Sequence, residues 1–304
     1  MALTCTVACT HTQVTTAPSM MAREFKEESR KIRPVWHRTL VSSRACFGSL
    51  FSGTAKSNCT SWSGRQRSGP LADENMLYIG SWDGTLKKLS VDTGIVMTSI
   101  RLPSRVSATP TLHGDKLFVG LENGMLMCLN KHTLQRMWEK PQQLDADITQ
   151  QPFVWGDTVY ALTGDSSLYA MSVDNGHIVW RKRRPMENLV MMSQSRPLVL
   201  PGSAMQRSLM LVGNREGAIE VYDAQDGNLM FHLPVEQQEK PLRDIVAGPI
   251  VADNSIVAAS VSGMMRAWRQ PGFEEDWSVE ESGLTHLAYD DVNKHVIAAG
   301  AGKI

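Results

Sequence analysis

Leu117-Phe118-Val119-Gly120-Leu121-Glu122-Asn123-Gly124, followed by Met125-Leu126-Met127-Cys128-Leu129, reads as two short strands joined by a tight turn. Asn123-Gly124 is hairpin chemistry, because Gly accepts the positive φ that such a turn requires. The same form stands upstream as Leu77-Tyr78-Ile79-Gly80-Ser81-Trp82-Asp83-Gly84. It returns as Leu209-Met210-Leu211-Val212-Gly213-Asn214-Arg215-Glu216-Gly217 and as Ile256-Val257-Ala258-Ala259-Ser260-Val261-Ser262-Gly263. Weaker copies start at Val159 and Val296. Gly84, Gly124, Gly217 and Gly263 therefore mark one repeated turn, with a period of about 40–50 residues.

Each copy continues in the same way. A second turn (Asp92-Thr93-Gly94, Asp174-Asn175-Gly176 or Asp226-Gly227) leads to a strand with a bulky residue: Met97, Trp138, Trp180, Phe231 or Trp277. A linker then opens a strand containing Pro, as in Ala108-Thr109-Pro110-Thr111-Leu112 and Gln150-Gln151-Pro152-Phe153-Val154. Four short antiparallel strands per repeat, with no helical period, describe a β-propeller blade. The fold class expected is all-β, a propeller of four-stranded antiparallel blades. Four full blades span residues 106–278, and partial blades stand at each end, so the arc is open or closed according to what completes them. Three strands are read before Val106. Trp138, Trp180, Phe231 and Trp277 should be largely buried between sheets.

The blades resemble the quinoprotein (PQQ-like) repeat. Tyr169-Ala170-Met171-Ser172-Val173-Asp174-Asn175-Gly176-His177-Ile178-Val179-Trp180 follows its Tyr-Ala-Leu-Asp, turn, Gly and Trp pattern most closely. The resemblance covers residues 75–304 and extends to the BamB-like outer-membrane protein assembly lipoproteins. It implies a non-enzymatic, protein-binding scaffold at the periplasmic face of the outer membrane, within an assembly complex. Those lipoproteins have eight blades, so the chain reads as an incomplete copy. The alternatives are a PQQ-dependent dehydrogenase or a fragment of one, and an accessory or sensor propeller of a larger protein. Quinone dehydrogenases of this repeat type carry adjacent cysteines over the cofactor, and this chain has none. No cofactor is expected, PQQ included. Trp82-Asp83 does not make the repeat a WD40 blade, because the dipeptide sits in a turn and no other copy repeats it.

Charge and composition narrow the reading. Lys plus Arg is 31 and Asp plus Glu is 31, a balance that speaks against nucleic-acid binding through bulk basicity. No apolar run reaches the ~18 residues of a transmembrane helix. Residues 1–74 are Ser-, Thr- and Arg-rich and lack a strand or helix period, and they read as a disordered or ill-defined N-terminal segment. No signal peptide or lipobox is recognised there; Ser43-Arg44-Ala45-Cys46 has an Arg where a lipobox wants a small residue. The eight histidines are scattered, and no Cys-x-x-Cys, His-x-His or Gly-x-Ser-x-Gly spacing occurs, so neither a metal site nor a catalytic residue is assigned.

Binding on a propeller falls to the loops, since the strands are committed to pairing. The longest connections run from Arg181 to Ser193 and from Glu236 to Asp244. The candidate partner-binding residues are Arg183, Arg184, Met186, Lys240 and Arg243, with the arginines offered to solvent for charge-assisted contacts. The hairpin turns at Asn123 and Glu216 are placed on the opposite rim.

Overall fold

A computed structural model of the chain describes residues 68–184, 195–202, 207–237, 243–281 and 284–300. Among these residues every regular element is a strand, 22 in all. The first sheet is β1 (Leu71–Asp73), β2 (Met76–Gly80), β3 (Thr85–Ser90) and β4 (Val96–Arg101). The second is β5 (Thr111–His113), β6 (Lys116–Gly120), β7 (Met125–Asn130) and β8 (Gln142–Gln143). The third is β9 (Phe153–Trp155), β10 (Thr158–Leu162), β11 (Leu168–Ser172) and β12 (Ile178–Lys182). The fourth is β13 (Leu198–Leu200), β14 (Leu209–Gly213), β15 (Ala218–Asp223) and β16 (Leu229–Pro234). The fifth is β17 (Ile245–Ala252), β18 (Ser255–Ser260), β19 (Met264–Arg269) and β20 (Glu274–Glu280). A two-stranded sheet, β21 (Leu284–Asp290) and β22 (His295–Gly300), ends the described chain. Each sheet pairs its strands in chain order, which is the up-and-down meander of a propeller blade.

Contacts divide the chain into two compact units. Among the described residues, one unit holds residues 68–154 together with Asp174–His177. The other holds Trp155–Val173 and the described residues from Ile178 onward.

The first sheet corrects the sequence reading. It is a complete four-stranded blade, and β1 lies before the boundary set at residue 75. Its signal was present: Ser68-Gly69-Pro70-Leu71-Ala72 carries the small residues, Pro and apolar pair that open the other blades. Gly69 N–H donates to Thr109 Oγ1 of the next such segment at 2.8 Å. The expectation for the rest of the N-terminal segment concerns residues 1–67, which lie outside the described residues.

The middle strands are buried on both faces, which is why their sequences run apolar instead of alternating. β6, β10 and β14 share one burial pattern, half-buried at the first residue and buried at the next four. The turn after each second strand is built as read: φ is +80° at Gly84, +80° at Gly124, +84° at Gly217 and +104° at Gly263. At Gly124 a Cβ would also stand 2.7 Å from the carbonyl oxygens of both Leu144 and Ala146. Cys128 on β7 is buried, and burial pushes its thiol up to about 11.

The fourth strands explain the row of bulky residues. A register shift lies between Lys88 and Leu89, Ala170 and Met171, Val221 and Tyr222, and Ala267 and Trp268. Each is a bulge that leaves one residue of the fourth strand unpaired: Met97, Val179, Met230 and Asp276. The residue after it faces inward and pairs with the third strand: Thr98, Trp180, Phe231 and Trp277. Met97 therefore does not belong in the aromatic row; it is exposed, and Thr98 holds that place. Trp138 is the deepest of the four expected residues, at 3% exposure, whereas Trp180, Phe231 and Trp277 are only half-buried. Pro141 lacks an N–H, and β8 is correspondingly short at two residues.

The aromatic row and the second turn form one joint. Gly176 lies under the Trp138 ring, where a Cβ would be 2.7 Å from Cε3. Gly227 lies under the Trp180 ring in the same way, at 2.8 Å. Trp138 also packs on Phe118, and Trp180 on Tyr160, with centroids 5.6 and 5.9 Å apart. The Gly of this second turn thus serves twice, once for its positive φ and once as a seat for the ring of the preceding sheet.

Candidate functional site

Antiparallel order decides which loops share an end of a sheet. A fourth strand leaves its sheet beside the hairpin that joins the second and third strands. Leu168, just after the β10–β11 turn, pairs with Lys182 at the end of β12. Arg183 and Arg184 follow directly. Arg184 Nε donates to the carbonyl of Ser166 in that turn at 2.9 Å. The residues placed on opposite rims from sequence therefore meet: Arg183, Arg184, Arg215 and Glu216 line one cleft. Gly217, next in that turn, would bring a Cβ 3.2 Å from the Arg243 carbonyl oxygen, so Arg243 lies at the same end. Met186 and Lys240 lie outside the described residues.

Arg184 is not the solvated charge expected from sequence. Its side chain is 6% exposed and forms an ion pair with Glu220 at 2.8 Å. Its Nη1 also donates to the Gly213 carbonyl at 3.2 Å. Glu220 Oε2 accepts a second bond from the Tyr222 hydroxyl at 2.7 Å. Burial first, and the Glu220 charge second, push the Tyr222 hydroxyl far above its usual range, so it stays protonated and donates. The result is a satisfied buried pair that ties the end of β12 to β15. Arg183 is exposed and keeps its place as a candidate contact residue.

Sequence reading missed Glu220, Tyr222 and Arg215. A signal existed at Glu220, a carboxylate between the buried residues Ile219 and Val221 of an inner strand. Such a residue needs a partner. Arg215 sits in a turn and has no comparable mark. Among the described residues, no group of three or more His, Cys, Asp or Glu side chains could hold a metal ion. No helix among them is long and apolar enough to cross a membrane.

The family model described as outer membrane protein assembly factor BamB matches residues 22–144 and 101–302. The chain belongs to the BamB family. A BamB relative from Nitrosomonas eutropha is 22% identical over 232 residues, which is 75% of this chain and 54% of the relative. One from Shewanella oneidensis is 22% identical over 246 residues, 66% of this chain and 60% of the relative. The crystal structure of BamB from Moraxella catarrhalis superimposes with a TM-score of 0.63 at 19% identity, covering 73% of this chain and 67% of that one. The chain thus spans less than two thirds of the length of these two relatives, and the β-propeller fold is shared with the solved structure. The family match begins at residue 22, well before the boundary at which the repeats were read from sequence.

Proposed function

We propose that this BamB-family chain is a non-enzymatic scaffold that binds protein partners during outer-membrane protein assembly. The family match along both parts of the chain carries the reading. The site adds a mechanism. Buried pairing at Arg184 and Glu220 fixes the end of β12, so that Arg183 is presented from a rigid support. Arg243 stands at the same end. No quinone takes part in this role.

The immobilised chain should capture outer-membrane assembly proteins from a bacterial envelope extract, and Arg183→Glu should reduce that capture several-fold. PQQ with calcium should change neither the absorbance nor the melting temperature. No capture by the folded chain, or a quinone-dependent spectral change, would overturn the proposal.

A further inference from the structure

A cleft of about 370 Å³ opens between β12 on one side and β15 and β16 on the other. We infer that it is a docking groove for an extended, carboxylate-bearing segment of a partner protein. The inference rests on the protein-binding role above and gives that role its chemistry.

The charges in the cleft do not balance. Lys182, Arg183, Arg184 and Arg215 line it, against Glu216 and Glu220. Glu220 is already held by Arg184 and Tyr222. Lys182 Nζ meets a neutral partner, the Asn228 side-chain oxygen, at 3.3 Å. Arg215 is the decisive residue. Its Nη2 donates to the Gly164 carbonyl at 3.4 Å, but Nε and Nη1 are shielded from water and meet no acceptor among the described residues. Arg215 thus lines the cleft with one long bond to a neutral acceptor, and a carboxylate entering the cleft would add a charge-assisted bond to its guanidinium. Asp244 feels the Arg215 charge, and burial raises its own carboxyl; the two make no ion pair within 4 Å among the described residues.

The groove is not uniformly polar. Leu229 lines it and is 47% exposed. An occupant with an acidic residue beside an apolar one satisfies both parts. A folded acidic surface would reach the basic residues less well, because they sit within a cleft.

The test uses the full chain and a fluorescein-labelled, end-capped peptide of alternating Glu and Leu, followed by anisotropy. The Glu peptide should bind, and its Gln counterpart should bind at least tenfold more weakly. Arg215→Met should weaken the Glu peptide at least tenfold. If that variant fails to fold, Lys182→Gln serves instead and should weaken it at least threefold. Equal binding of the two peptides, or no effect of the folded variant, would overturn the inference. So would displacement by acetate at the peptide's own affinity, which would mark a small-anion site only. Capture from extract that is insensitive to Arg215→Met, with no peptide binding, sinks the groove and leaves the scaffold role standing. Peptide binding that Arg215→Met abolishes, without any capture, supports the groove and sinks the assembly role.

Discussion

Two tryptophans read as equivalents in the sequence both seat on a turn glycine yet differ in depth. Trp138 is buried over Gly176 and against Phe118, while Trp180 is half-buried over Gly227. Trp138→Ala should therefore cost about 3–5 kcal/mol in a denaturant titration, and Trp180→Ala measurably less. Equal losses would mean that burial does not rank them. The paired arginines separate in the same way. Arg184→Glu strands Glu220 in a buried site and should cost on the order of 3–5 kcal/mol. Arg183→Glu should leave the melting temperature unchanged, which makes it the clean probe of partner capture. At this scale the sequence showed residue type and repeat position. It did not show which of two adjacent arginines turns inward, since that depends on Glu220 and Ser166, both distant in the chain.

Among the elements, the hairpin turns were the most legible, because Gly preceded by Asp, Asn or Glu has few other uses between apolar runs. Their energetics differ by what surrounds them. Gly124→Ala meets two carbonyls as well as a positive φ, whereas Gly114 has a φ of +57° and nothing within 4 Å of a new Cβ. Gly114→Ala should cost about 1–2 kcal/mol from backbone conformation alone, and Gly124→Ala more, as thermal unfolding of the two variants would show. Carboxylates brace other copies of the turn. Burial works against ionised Asp83 and Asp165, but hydrogen bonds from Ser81 and Thr85, and from Thr163 and Ser167, outweigh it and lower both pKa values. A lowered folded pKa stabilises above the unfolded value of about 3.9, and that contribution is lost as pH falls through the folded value. The melting temperature should accordingly drop below about pH 4, and Asp165→Ala should flatten part of that drop. A profile identical in the variant would rule out this turn as a source. The three-residue β1 went unread although Gly69-Pro70-Leu71 announces it, because a strand that short has no period of its own and, unlike β5 and β9, follows no strand that had been read.

For the molecule as a whole, repetition made the fold readable: five sheets with one strand order leave one propeller blade written five times. Hydrogen exchange should follow that rhythm. Protection should be strongest in β2, β6, β10, β14 and β18 and weakest in the fourth strands, again in each sheet. A gradient from one end of the chain to the other would contradict it. What repetition could not reveal is where the copies differ, and the basic cleft is such a difference, confined to the third and fourth sheets.

The bulges of the fourth strands bear on solubility. A fourth strand is the last in its sheet, and a flat last strand invites another chain to add to it. A bulge at Met97, Val179, Met230 or Asp276 breaks the regular ladder and twists the strand, so an incoming strand finds no straight edge to copy. In the fifth sheet four carboxylates strengthen that guard, Glu274, Glu275, Asp276 and Glu280. At Met97, Val179 and Met230 the bulge projects an apolar side chain instead, exposed at 58%, 59% and 50%. In concentrated solution, fibrillation and sticking between copies should start at the first, third and fourth sheets, and a lysine at those three positions should delay it.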